Sequence, residues 1–320
     1  MIAPVALFTY KRPQHTEATL AALARNVLAD ETDLHIFSDG PRAASDKAPI
    51  EEVRKLVRAV SGFKSVRVIE RERNWGLANS IISGVTELLD RNESVIVVED
   101  DLISSRQFLA YMNLALCHYR DDPHVFSVTG YTFPDKYLPI PSDYSYDTYA
   151  SYRCSSWSWG TWPDRWRRID WEMSYFDAFI GDPVAQDTFN RGGDDLTSLL
   201  KMQHEGKIDS WAIRFDHAHY SNAMQAIHPT KSLIRNIGLD NSGTHTGPAP
   251  QFFHASLDEN WMPRKLCPGD LVDRRISTSC RAVFSPPLWN RVLRRAKSVG
   301  REGMSDVRQV AGKIKRRLGL

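Results

Sequence analysis

The chain has 320 residues, 42% of them hydrophobic and 25% charged, the make-up of a water-soluble folded protein with room for one large α/β domain and additions, or for two small domains. No window of eighteen residues is apolar throughout, which excludes a transmembrane helix, and Lys11 and Arg12 follow the short apolar start instead of preceding it, the wrong order for a signal peptide. The net charge of +2 divides unevenly: residues 290–320 hold 10 Lys/Arg against 2 Asp/Glu, leaving 31 basic against 37 acidic in the rest, so an acidic body carries a basic tail.

Residues 5–10 read as a first strand, and Lys11-Arg12-Pro13 turns it into a helix reaching about residue 26, with Pro13 in its first turn. A second strand at 34–37 ends in Ser38-Asp39-Gly40-Pro41, and a helix over 50–60 lines up Ile50, Val53, Leu56, Val57 and Val60. A third strand at 66–69 passes through Arg71-Glu72-Arg73-Asn74-Trp75-Gly76 into a helix over 77–89. Val95-Ile96-Val97-Val98 then puts four β-branched residues in a row, the pattern of a strand buried on both faces. This alternation predicts βαβ units and an α/β fold with a mainly parallel, Rossmann-like central sheet. The next helix covers 104–119, opened by Ser104 and Gln107 at capping-box spacing, and a strand follows at 125–129.

After Gly130 the texture changes. Prolines and tyrosines punctuate residues 134–152, and Ser156-Trp157-Ser158-Trp159-Gly160-Thr161-Trp162-Pro163-Asp164-Arg165-Trp166 concentrates aromatic side chains that either wedge a core or pack on sugar rings. Asp194 and Asp195 open a helix to 205, and residues 208–215 precede a helical stretch to 226. Residues 248–285 read as irregular. The four cysteines, Cys117, Cys154, Cys267 and Cys280, form no CxxC pair, which points to free thiols in a reducing compartment.

The chemistry concentrates at Glu99-Asp100-Asp101, directly after the buried run. The carboxyl ends of strands in an open α/β sheet are where ligands bind. Three adjacent carboxylates repel one another unless a positive charge sits among them. A divalent cation on a diphosphate is one such partner, and carboxylate oxygens suit Mn²⁺ or Mg²⁺. The same acids could instead be surface groups or caps for the next helix. There is no GxxxxGK[ST] loop and no GxGxxG, so neither an ATPase P-loop nor a dinucleotide fingerprint applies.

Val97-Val98-Glu99-Asp100-Asp101-Leu102, with the pieces around it, resembles the acid motif of the GT-A class of nucleotide-sugar-dependent glycosyltransferases. Over residues 1–247 the chain looks closest to bacterial relatives of the N-acetylglucosaminyltransferase that initiates complex N-glycan branching, alongside family-2-like sugar transferases. The resemblance implies that Asp101 coordinates Mn²⁺ or Mg²⁺ and that Glu99 and Asp100 contact the donor sugar and ribose. It places Arg12 near the uracil and Asp39 on the nucleotide, with Thr9 and Asn74 in the same nucleotide-sugar set. Trp159 and Gly160 look like the family's acceptor and donor wall. Asp209, separated from Trp211 by Ser210, matches the catalytic base and would be partly desolvated by that indole; Asp164, Asp170, Asp194 and Asp195 are its rivals. His245 is the implied second metal ligand.

On this reading residues 1–247 form the transferase domain, with a nucleotide-sugar half at 1–130 and an acceptor half at 131–247, followed by an irregular extension at 248–285 and a basic tail at 286–320. The expected reaction is inverting transfer of a hexosyl or N-acetylhexosaminyl group from a nucleotide-diphosphate sugar, in the first place a UDP-sugar, to a glycan or lipid-linked glycan acceptor in cell-surface or secreted glycan synthesis. The alternatives are a nucleotidyltransferase making activated sugars and an inactive carbohydrate-binding or scaffold protein. Nucleic acid is not an expected partner, because the basic charge is confined to one terminus.

In the tail, Val307, Val310, Ala311, Ile314 and Leu318 share one helical face with basic residues elsewhere, the pattern of an interfacial helix held at an anionic membrane. The expected location is therefore cytoplasmic, at the inner face of the cell membrane. Basic residues near such a surface contribute on the order of 1 kcal/mol each. Full-length protein should then sediment with anionic liposomes and a chain ending at Val283 should not; equal sedimentation would dismiss the membrane role.

Overall fold

Side-chain alternation along β1 (Val5–Thr9) sends Val5 and Leu7 to one face of the sheet and Ala6 and Phe8 to the other, and all four are buried. The computed structural model describes residues 2–240 and 256–285. α1 (Pro13–Ala24) follows, then β2 (Asp33–Ser38), α2 (Lys47–Ala59), β3 (Ser65–Glu70), α3 (Leu77–Leu89) and β4 (Val95–Glu99). Next come β5 (Leu102–Ser104), α4 (Phe108–His118), β6 (Val125–Thr129), β7 (Thr148–Ser151) and β8 (Trp159–Thr161). The remainder comprises α5 (Pro163–Trp166), α6 (Phe176–Ile180), α7 (Pro183–Phe189), α8 (Leu196–His204), α9 (Trp211–Ser221), β9 (Gln225–Pro229), β10 (Ile234–Asn236) and α10 (Arg274–Val283).

Eight strands form one sheet in the order β3-β2-β1-β4-β8-β6-β9-β7. β3, β2, β1 and β4 are parallel; β8 runs antiparallel to both β4 and β6, β9 is parallel to β6, and β7 is an antiparallel edge. The α/β fold with a mainly parallel sheet is thus present. Helices cover both faces: Leu20, Leu23, Val53, Met112 and Leu116 pack on the side of Ile96 and Val98, and Ile81, Val85, Trp211 and Phe215 on the side of Val95 and Val97. Burial on both faces is why β4 is apolar in every position up to Glu99.

The sequence expectation fails in three places. Ser104 does not cap α4; it ends β5, which pairs antiparallel with β10, and the helix begins at Phe108. The open helix start is met instead by Asn26, whose side-chain oxygen accepts from Leu109 N–H at 2.9 Å while its amide donates to Ser104 Oγ at 2.9 Å. Second, the stretch read as irregular contains α10, capped by Asp273 and packed through Ile276 and Cys280 on Tyr149. Third, Trp159 and Gly160 lie within the sheet. Gly160 pairs with Ile96 on one side and Val128 on the other, and a β-carbon there would stand 2.8 Å from the Val95 carbonyl oxygen and 3.2 Å from the Leu116 methyls. Glycine is needed for β8 to fit between its neighbours under α4. His245 and the basic tail lie outside the described residues. Among the described residues no helix is long and apolar enough to cross a membrane.

Candidate active site

The parallel strands β1, β2 and β4 bring Thr9, Asp39 and Glu99-Asp100-Asp101 to one edge, their shared carboxyl end. Asp100 and Asp101 are buried there, at 4% and 8% exposure. Arg12, the residue before α1, donates through Nη2 to Asp100 Oδ1 and, at 3.0 Å, to Asp101 Oδ2. Lys11 is not available for this task, because its ammonium is 2.7 Å from Asp46. Tyr10 N–H also points at Asp100, 3.4 Å from Oδ2. Glu99 is half-buried, and burial together with the charges of Asp101 and Asp100 raises its carboxyl well above the usual carboxylate range, against the pull of Arg12.

Asp101 is held at its backbone and open at its side chain. Its carbonyl accepts from Ile237 N–H at 2.8 Å, which brings the turn after β10 against it. Gly238 belongs to that turn: a β-carbon there would lie 2.1 Å from Asp101 Oδ2 and 2.8 Å from Arg12 Nη1, so any side chain would force Asp101 and Arg12 to shift. Asp101 Oδ1, also buried, has no hydrogen-bond partner. An orphaned carboxylate oxygen at this position fits a hard divalent cation. Among the described residues no three His, Cys, Asp or Glu side chains converge on a complete cage.

Asp39 is committed to its own fold. It accepts backbone N–H bonds from Gly40 at 2.9 Å, Trp75 at 2.9 Å and Gly76 at 3.1 Å, and the Asn74 amide at 2.9 Å. This fixes the turn from β3 into α3 against the end of β2, so Asp39 and Asn74 act on each other. The same turn presents Trp75, 41% exposed, with the Arg71 guanidinium 3.9 Å from its ring centre. Thr9, 4% exposed, has a hydroxyl without a partner in the described structure.

The chain is similar in structure to glycosyltransferases. Solved structures resembling it include a mannosyltransferase from Pyrobaculum calidifontis in complex with GDP-Man and Mn²⁺, 13% identical, TM-score 0.40, covering 69% of this chain and 69% of that one. Residues 1–349 of S. aureus TarS are 13% identical, TM-score 0.41, with 73% of this chain matched to 60% of that one. The galactosyltransferase LgtC, in complex with donor and acceptor sugar analogs, is 9% identical, TM-score 0.35, covering 69% and 72%. No family model matches the chain, and no curated protein does.

Trp159 is 1% exposed and stacks on Trp166 and Trp211 inside the core, so it lines no cleft, and Gly160 is enclosed with it. Aromatic side chains line a cavity elsewhere. Tyr131, Phe133, Tyr149, Trp157 and Phe284 surround a cavity of about 200 Å³ with Arg153 on its rim. Trp157 stands two residues before Trp159, which pairs with Val97 in the strand that ends at Glu99. Arg153 is neutralised by a two-point pair with Asp195, at 2.7 and 3.1 Å, and lies 3.6 Å from the centre of the Phe284 ring. Neither Phe284 nor Gly238 carried a local sequence signal; both reach the edge from distant segments.

Asp209 precedes α9, whose start is capped by Ser210. Its Oδ2 lies 3.4 Å from where a Gly76 β-carbon would stand, beside the turn that Asp39 anchors, and Arg214 is 3.9 Å away. The expected desolvation is absent: the carboxylate is 59% exposed, because Trp211 turns inward to stack on Trp159. The rivals are all engaged. Asp164 pairs with Arg165 at 2.8 Å, Asp170 accepts from the Ser174 N–H at 2.8 Å, Asp194 pairs with Arg281 at 2.7 Å, and Asp195 holds Arg153.

Behind the cavity, Asp216 on α9 accepts from Cys154 N–H at 2.7 Å and so holds the strand that forms one wall. Burial pushes its carboxyl up to about 6, against the pull of Arg153 and the Cys154 N–H. A raised folded-state value means the native state binds the proton more tightly than the unfolded chain. Stability from this group is therefore complete below about pH 4 and is lost as pH rises through about 6. Asp216→Asn, which resembles the protonated acid, should match wild type near pH 4 and exceed its stability by roughly 1–3 kcal/mol at pH 7. Urea melts at the two pH values read this; a gap that stays constant with pH contradicts it.

Proposed function

We propose that the protein is a metal-dependent, inverting glycosyltransferase that moves a sugar from a nucleotide-diphosphate donor to a hydroxyl acceptor. The observation that carries this is the buried Asp100–Asp101 pair at the carboxyl end of β4, with Asp101 Oδ1 unpartnered and Arg12 standing at the start of α1. α1 has no acidic residue in its first turn and no side-chain cap, so its N–H groups favour an anion, and Arg12 adds a two-pronged phosphate ligand. Asp101, with Asp100 beside it, would hold Mn²⁺ or Mg²⁺ against the diphosphate. When bound, the ion acts as a Lewis acid on the departing phosphate oxygen. Glu99 and Asp100 are suited to the donor's sugar and ribose hydroxyls, and Asp39 acts by holding the turn that presents Trp75. The aromatic-lined cavity around Trp157 and Tyr131 is suited to the acceptor, whose C–H faces pack on rings. Asp209 would take the acceptor proton as the new glycosidic bond forms and the nucleotide leaves with the bonding electrons.

A UDP-sugar donor and a lipid-linked glycan acceptor remain the preferred substrates, the latter because of the basic tail. The test is a thermal-shift panel of UDP-, GDP- and TDP-sugars with and without Mn²⁺, followed by release of nucleoside diphosphate from whichever donor binds. Metal-dependent stabilisation and turnover are expected. Binding without turnover would support the carbohydrate-binding alternative, and release of pyrophosphate from a nucleoside triphosphate and a sugar phosphate would support the nucleotidyltransferase.

A further inference from the structure

One oxygen of Asp100 and one of Asp101 already hold a cation of the chain's own, while Asp101 Oδ1 has no hydrogen-bond partner. Arg12 Nη2 bridges Asp100 Oδ1 and Asp101 Oδ2, the second at 3.0 Å, and the guanidinium is charged at any working pH. Its place is confined. The Ile237–Gly238 turn closes over it, with no room for a β-carbon between Gly238 and either Asp101 or Arg12. His15, one turn further along α1, ties the same segment down through Asp240 at 3.2 Å. A divalent ion shared by Asp100 and Asp101 would have to lie where the guanidinium now lies, or a few ångströms from it. Two cations so close, with little water between them, repel strongly.

We infer that Arg12 is a resident counter-ion of the acid pair, and that a divalent cation reaches Asp101 in strength only when a diphosphate draws Arg12 away. The inference rests on Asp101 being the metal ligand, as proposed above. The acceptor of the displaced guanidinium is at hand: a phosphate at the start of α1 lies next to Arg12's own backbone and offers two oxygens to its planar fork. Arg12 thus couples the two ligands. Metal and nucleotide bind each other's complex better than the free protein, and the coupling is reciprocal. Arg12 offsets part of the charge of the two acids, which are buried at 4% and 8% exposure.

The test measures Mn²⁺ binding directly, from the loss of the free-ion electron paramagnetic resonance signal, and needs no turnover. Wild type should bind Mn²⁺ weakly alone and at least tenfold more tightly with UDP or GDP, after correction for metal–nucleotide binding in solution. Arg12→Gln should bind Mn²⁺ alone at least tenfold more tightly than wild type, and Arg12→Lys, which keeps the charge, should not. Adding Asp101→Asn to Arg12→Gln should remove the gain. Equal Mn²⁺ affinity of wild type and Arg12→Gln, with nucleotide-dependent binding intact, overturns the inference while leaving the metal site standing. Absence of Mn²⁺ binding in every variant, with or without nucleotide, overturns both. If Arg12→Gln does not fold, the wild-type comparison decides alone: equal affinity with and without nucleotide overturns the coupling.

Discussion

Asp209→Asn is expected to lower sugar transfer by roughly 10²–10⁴-fold, the usual share of general-base catalysis, with donor and metal affinity close to wild type. An acceptor hydroxyl is a weak nucleophile at neutral pH, and the acids proposed to face the diphosphate would not serve it from the opposite side. Of the five carboxylates considered for the role, Asp164, Asp170, Asp194 and Asp195 are held by hydrogen bonds or ion pairs, while among the described residues Asp209 has a single, long ion pair with Arg214 at 3.9 Å. Its 59% exposure leaves it accessible to an acceptor, which would itself displace the water. The cap of α9 belongs to Ser210, so the substitution should leave thermal stability nearly unchanged. Retained transfer at more than a tenth of wild type would remove Asp209 from the mechanism and return the question to Asp195, which pairs with Arg153 of the cavity lining.

Asp101→Asn should abolish metal-dependent binding of the donor and reduce transfer by about 10²–10³-fold, since a Lewis-acid ion supplies several kcal/mol of transition-state stabilisation. The fold should survive, because the amide keeps the shape of the side chain and the Ile237 bond is made to the backbone carbonyl. Isothermal calorimetry with donor and Mn²⁺ separates the two effects. Unchanged metal-dependent donor affinity would show that Asp101 is not the ligand.

Much of the fold could be read from local pattern. The run Val95-Ile96-Val97-Val98 is a central strand, and the predicted helix over 77–89 matches α3 (Leu77–Leu89), because both elements are dictated by burial along their own length. The acid motif was equally legible, since a β-branched run ending in three acids is a local signal. What escaped was decided by distant partners. Ser104 has capping-box spacing, yet β10 claims it for a strand, and Asn26 does the capping. Asp39 looks like a turn residue or a ligand contact until residues 74–76 come to it from the next crossover. The tryptophans at 159 and 211 could line a cleft or fill a core; their insertion between the sheet and α9 chose the core.

β8 has a consequence for how the chain is made. It is three residues long, yet β4 and β6 meet only through it, and it is synthesised after both. A nascent chain that has emerged only as far as β6 therefore carries a parallel four-stranded sheet with an unpaired β4 edge, apolar from Val95 to Val98, and a loose β6. Exposed edges of that kind recruit other chains. The first half of the chain is thus not a module that can be released or exchanged by itself: the ribosome must deliver residues 159–161 before that half has a closed flank.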